Sequence, residues 1–223
     1  MDRDLLIKAF TKFLLGVIVL GILLFLPAGS LHYRQGWLLM GILFIPMSFA
    51  GFVLMAKNPE LLRKRLNAKE KEAEQKIVVA MSGMLFITAF VLAGLNWRFG
   101  WYVLPDWVVC VAAVLFLASY LLYAEVMREN TYLSRTVEVQ DNQKVIDTGL
   151  YGIVRHPMYT ATTIMFLTMP LVLGSPISFL VILGYIPVIA KRIGNEEALL
   201  EEGLEGYKDY KKKVRYKMIP FLW

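Results

Sequence analysis

Four apolar stretches long enough to cross a bilayer, and a fifth that is longer and broken, leave this chain few folds to adopt. The four run from about Leu5 to Leu26, Gly36 to Ala56, Ile77 to Leu95 and Trp107 to Val126, each near the roughly 20 residues that a membrane-crossing helix needs. Backbone polar groups have no water to bond in lipid, so such stretches are helices. The fifth, Tyr159 to Ala190, is interrupted by Pro170 and by Gly174-Ser175-Pro176. Proline removes a donor and glycine accepts turn geometry, so this region reads as two shorter helices joined by a tight turn, spanning fully or re-entering. The expected fold is all-α: one polytopic integral-membrane domain over 1–223 with about six transmembrane helices and a C-terminal helical hairpin. Residues 1–128 form its amino-terminal transmembrane half and 129–223 the half that carries chemistry.

Composition agrees, with 57% hydrophobic and 19% charged residues. The single cysteine, Cys110, excludes an internal disulfide and argues against a thiolate metal site. Two histidines, His32 and His156, fall on opposite sides of the membrane in this topology, so no metal is expected. A net charge of +6 invites a nucleic-acid reading, but the bases gather between the apolar stretches. With both termini cytoplasmic, all of the 24 Lys and Arg except Arg34 and Arg98 lie inside, as the positive-inside rule requires. The apolar stretch ending at Pro27-Ala28-Gly29-Ser30 reads as a retained first helix, because acidic Asp2 and Asp4 stand where a signal peptide is basic. Asn58-Pro59 opens a connecting helix of mixed charge to which no chemistry is assigned.

Two polar clusters flank the broken stretch. One is Arg155-His156-Pro157-Met158-Tyr159; the other is Arg192 with Glu196 and Glu197. Charged groups are costly beside lipid, so clusters at both ends of one helical hairpin are expected to face a shared, cytosol-facing space. Pro157 suits the first turn of a helix and puts His156 near its N-cap, where backbone donors favour an anionic group. Tyr159 has a ring for a flat heterocycle and a hydroxyl to donate. Taken singly, His156 is better explained as a cap, and Arg192 with Glu196 is equally well explained as a surface ion pair. Glu197, with Glu201-Glu202, reads as a solvated face.

The order Gln140, Lys144-Val145-Ile146, Gly149-x-Tyr151, Arg155-His156-Pro157-x-Tyr159, Arg192-x-x-x-Glu196-Glu197 and Tyr207-x-x-Tyr210 before Ile219-Pro220-Phe221 closely resembles the isoprenylcysteine carboxyl methyltransferase and phospholipid methyltransferase superfamily. The resemblance covers roughly the last hundred residues; the amino-terminal half is similar only in being hydrophobic. It implies an integral-membrane enzyme that binds S-adenosylmethionine in a cytosolic pocket built by the carboxyl-terminal half. It implies cofactor contacts at Gln140, Gln143, Lys144, Val145, Ile146, Tyr151, His156, Pro157, Met158, Tyr159 and Glu196, with Glu197 in the same shell. It also implies catalytic roles for Arg192 and Glu196, with Arg192 on the substrate carboxylate. Where eukaryotic members often carry a histidine before a strand-like stretch, Gln143 stands here, so backbone contacts are expected there.

The implied reaction is methyl transfer to a lipophilic acceptor, foremost the carboxylate of an isoprenylated cysteine or a related lipid. An ionised carboxylate needs no general base. A phospholipid amine is the alternative, and it would ask Glu196, Glu197 or Glu125 to take a proton. Membrane sterol reductases share the tyrosine-rich tail and would use Lys144 and Arg155 on NADPH. Transport is disfavoured, because no charged residue lies between Tyr159 and Ala190. The expected partners are the lipid bilayer and a lipid-like or prenylated substrate.

Overall fold

The computed structural model describes residues 3–67, 73–133, 139–140 and 142–223. The expected helices are all present: α1 (Arg3–Ala28), α2 (Arg34–Lys57), α4 (Ala73–Phe99) and α5 (Asp106–Glu129), with the short connecting helix α3 (Pro59–Leu66) after α2. The broken region is α6 (Pro157–Val172), a turn, then α7 (Pro176–Leu183) and α8 (Tyr185–Gly203); α9 (Tyr207–Lys213) follows. There is no strand among the described residues. The stretch after Gln143, expected to be strand-like, forms no strand and runs without regular structure to Asp147. Lys69, Lys71 and Arg135 of the charge pattern, with Val137 and Glu138 of the polar connection, lie outside the described residues.

Among the described residues, five helical stretches are long and apolar enough to cross a membrane: α1, α2, most of α4, α5, and α7 with α8 taken together. The sixth, α6, has 16 residues. The protein is an integral-membrane helical bundle. Its helices expose large apolar side chains to lipid, among them Phe10, Leu14 and Leu26 on α1 and Phe49 and Phe52 on α2.

Small residues let the backbones approach. A Cβ added at Gly94 of α4 would stand 2.6 Å from the Leu24 carbonyl oxygen of α1, so only glycine fits this crossing. Leu24, Ala28, Tyr33, Leu39, Ala93, Phe116, Met165 and Val172 form the main core. The hairpin turn uses Gly174 at φ +72, a left-handed conformation that glycine adopts without a Cβ clash. Ser175 then caps α7 by accepting from the Ser178 N–H. At this end of the bundle the buried Tyr33 hydroxyl donates to the Leu173 carbonyl over 2.7 Å. At the other end lie α3, the connection before α6, and the polar extension of α8.

That extension is where the sequence reading stopped short. The apolar stretch closes near Ala190, yet α8 continues unbroken to Gly203. It thereby carries Arg192, Glu196 and Glu197 out of the apolar bundle on one rigid rod. The chain then returns through α9, and residues 214–218 dock against the start of α6.

Candidate active site

The local geometry at the start of α6 follows from Pro157. Proline at the first helical position holds His156 outside helical geometry, at φ −125 and ψ 59, and His156 is the N-cap. Its imidazole makes no capping bond and is free to face elsewhere. Just upstream, the Gly149–Gly152 3-10 turn buries Tyr151.

The returning tail locks this corner. The Arg155 N–H donates to the Tyr216 carbonyl at 2.9 Å, and the His156 N–H donates to the Lys217 carbonyl at 2.8 Å. Arg155 Nη1 donates to the carbonyls of Val214 and Arg215, each at 2.7 Å. Arg155 Nε donates to Glu197 Oε1 at 2.7 Å, and His156 Nε2 lies 3.1 Å from the same oxygen. A carboxylate paired with a guanidinium is an acceptor, so it fixes the ring proton of His156 on Nε2. Lys211 and Lys217 stand 3.5 and 3.6 Å from the other oxygen of Glu197. Glu197 is therefore not on a solvated face: it is 3% exposed, at the centre of a buried charge network. With its guanidinium spent on Glu197 and two carbonyls, Arg155 is poorly placed to bind the phosphate that a reductase cofactor would bring.

A second polar knot lies one turn away. The Tyr159 hydroxyl donates to Glu196 Oε2 and accepts from Arg192 Nε at 3.0 Å. Gln75, from the first turns of α4, accepts from Arg192 Nη1 at 3.2 Å and donates to the Arg192 carbonyl at 3.4 Å. The rings of His156 and Tyr159 lie stacked, with centroids 5.6 Å apart. The two clusters, separated in sequence by the whole hairpin, thus meet.

Between them opens a cavity enclosing about 840 Å³ of space, its mouth included. Of the residues singled out from sequence, Gln143, Lys144, Val145, Ile146 and Tyr151 line it, as do Arg155, His156, Met158, Tyr159, Arg192 and Glu196. Three stand off the wall. Gln140 accepts from Lys64 Nζ at 2.6 Å, Pro157 turns the chain, and Glu197 backs His156 and Arg155 from behind. The cavity also takes Asn130, Tyr132, Leu133, Leu199, Leu200, Leu204, Tyr207 and Tyr210. Of these only the two tail tyrosines belonged to a recognised motif. Burial, reinforced for Tyr207 by the carboxylates of Glu197 and Glu196, pushes both phenols well above the usual tyrosine range. The connecting helix is not inert either. Lys64 reaches Gln140, while Arg65 donates to the Tyr123 hydroxyl and lies 3.8 Å from the sulfur of Met158 on the cavity wall.

A family model described as phospholipid methyltransferase matches residues 107–205, from α5 through α8 and thus across most of this cavity. No curated protein sequence matches the chain. Among solved structures, a eukaryotic intramembrane Ras methyltransferase, isoprenylcysteine carboxyl methyltransferase, superposes with a TM-score of 0.53 at 15% identity, covering 100% of this chain and 88% of that one. That likeness speaks to the fold, and the family match to the segment that builds the cavity. Over residues 107–205 the chain is thus similar in sequence to the phospholipid methyltransferases, and as a whole it shares the helical membrane fold of isoprenylcysteine carboxyl methyltransferase.

Proposed function

We propose that this protein transfers a methyl group from S-adenosylmethionine to the carboxylate of a prenylated or related lipid, in a cavity that opens to the cytosol. The observation that carries the reading is the Tyr159 hydroxyl, bonded to both Arg192 and Glu196 on the wall of one cavity. It sets an anion-binding group beside a cation-binding one.

The donor set fits the cofactor. Glu196 offers negative charge for a cationic, amino-bearing ligand, and five tyrosines with the His156 ring offer faces for a purine. The buried Tyr207 hydroxyl has no hydrogen-bond partner among the described residues, as expected of a group kept for a ligand. Gln143, Lys144, Val145, Ile146 and His156 would complete the cofactor's shell. When bound, the cofactor supplies an electrophilic methyl group on a sulfonium.

The protein's own contribution is placement. Arg192, held by Tyr159 on one side and Gln75 on the other, is a preorganised cation for a carboxylate to meet. Such prior ordering can supply several kcal/mol of a displacement barrier. Glu197 fixes the tautomer and tilt of His156. Tyr207, Tyr210 and Leu204, all buried, close the side facing away from the bundle and keep water out while charge is being neutralised. The cytosolic orientation rests on the distribution of Lys and Arg.

The family match favours a second reading, in which the acceptor is a phospholipid amine. That reaction must release a proton. Of the three carboxylates available for it, Glu125 is bound bidentately by Arg128 and Glu197 is off the cavity wall, leaving Glu196. Incubating detergent-solubilised protein with labelled S-adenosylmethionine and either a farnesylcysteine analogue or phosphatidylethanolamine separates the two. Label in the farnesylcysteine ester supports the first reading. Label confined to the phosphatidylethanolamine product replaces it with the second, and label in neither overturns both.

A further inference from the structure

The residues after Met218 form an ordered apolar turn with no role in the cavity. Trp223 N–H donates to the Ile219 carbonyl at 3.0 Å, while the N–H groups of Met218 and Ile219 both donate to the Trp223 carbonyl, at 3.0 and 2.9 Å. The turn carries Phe221 through a positive φ of 65, a conformation that bulky residues adopt against their steric preference. What it presents outward is apolar: Phe221 is 89% exposed and Leu222 76%, with Ile219 also exposed.

Its position is set by α6. The Thr160 hydroxyl, in the first turn of α6, donates to the Met218 carbonyl at 2.8 Å, and Met218 packs with Tyr159, Ile189 and Ile193. At 16 residues and 1.5 Å per residue, α6 is about 24 Å long, short of the roughly 30 Å hydrocarbon layer. The far end of α6 lies level with the α1–α2 connection, where Tyr33 meets Leu173, so a helix this short brings its start to the opposite membrane boundary or short of it. The apolar turn sits beside it at that depth. Its flank carries basic groups: Arg215 is exposed and Lys217 Nζ lies 5.4 Å from the centre of the Trp223 ring, while the exposed Lys212 and Lys213 of α9 are paired with Asp209 and Asp147. Apolar and aromatic groups at the level of a helix start, backed by cations, match the headgroup–acyl boundary and its phosphates.

We propose that residues 219–223 are an interfacial anchor, inserted into the bilayer the protein spans. Because the carbonyls of Tyr216 and Lys217 hold the N–H groups of Arg155 and His156, anchoring the turn steadies the corner on which the cavity is built. The proposal requires the membrane boundary to lie at the start of α6. It does not require methyl transfer.

The test is depth measurement by spin labelling in nanodiscs of phosphatidylcholine and phosphatidylglycerol. Cys110→Ser removes the only native thiol, and single cysteines are placed at Leu222 or Phe221. Lys212→Cys serves as a solvent reference and Phe10→Cys as a lipid reference; each labelled protein is first required to keep the wild-type melting temperature. The oxygen-to-nickel collision ratio at 221 and 222 is expected to exceed that at 212 several-fold and to approach that at 10. A ratio equal to that at 212 overturns the proposal. So does suppression of both collision rates with dipolar broadening between labels, which would make the turn a contact between copies of the chain. Because no turnover is read, failure of the enzymatic reading would leave this result unaffected.

Discussion

Arg155 Nε and Glu197 Oε1 meet at 2.7 Å with both side chains only 4% exposed, and this pair joins three parts of the chain that are far apart in sequence. Glu197 reaches back to His156, and Arg155 reaches on to the tail carbonyls. Removing one partner of a buried pair strands the other charge. Glu197→Ala is therefore expected to lower unfolding stability by about 3–5 kcal/mol, measured by denaturant titration in detergent. Arg155→Met combined with Glu197→Leu should recover a large part of that loss. Additive losses in the double variant would show that the pair acts through something other than its charges.

Tyr159→Phe removes one hydroxyl and almost no volume. It cuts the link between Arg192 and Glu196 while leaving Arg192 bonded to Gln75. Hydrogen bonds to charged groups contribute about 1.5–3 kcal/mol, so kcat/KM is expected to fall by roughly 10- to 100-fold. The melting temperature should change little. A wild-type rate would mean that the two charged groups are held in place without the phenol.

Arg192→Ala and Glu196→Ala should fail differently. Arg192→Ala is expected to keep cofactor affinity and lose turnover, whereas Glu196→Ala loses cofactor affinity itself. Calorimetry and a methyl-transfer assay on the same preparations separate these outcomes. Equal loss of binding in both would place Arg192 on the cofactor.

Alkaline pH should loosen the cavity. Burial raises the phenols of Tyr151, Tyr207 and Tyr210, so all three stay protonated in the folded protein after they ionise in the unfolded chain. A pKa raised on folding gives stability that is intact below the unfolded value, about 10 for tyrosine, and lost as pH rises above it. The slope is at most about 1.4 kcal/mol per pH unit for each phenol. Denaturant midpoints taken from pH 8 to 11 should fall only above about pH 10. A flat profile would mean that these phenols ionise freely in the folded state.

Much of this was readable from the chain, and the gaps have physical causes. Hydropathy marks helices because the bilayer demands both length and internally bonded backbone, so α1, α2, α4 and α5 were recognisable, as was the break at Gly174-Ser175-Pro176. Helix ends in polar surroundings carry no such signal, so the run of α8 on to Gly203 was missed. Glu196 and Glu197 are neighbours of identical chemistry, but a helix turns about 100° between them; one faces the cavity and the other the buried arginine, and only the returning tail decides which. Gln75 lies 117 residues from Arg192 in a stretch that otherwise resembles a solvated connection. No local pattern could name it.

The central claim is that the cavity between His156 and Glu196 binds the methyl donor. Calorimetric titration of S-adenosylmethionine into detergent-solubilised wild-type, His156→Ala and Glu196→Ala proteins tests it most directly. Saturable binding to the wild type, with no detectable binding to either variant, is the predicted result. Wild-type affinity in both variants, or no binding to the wild type, would contradict it.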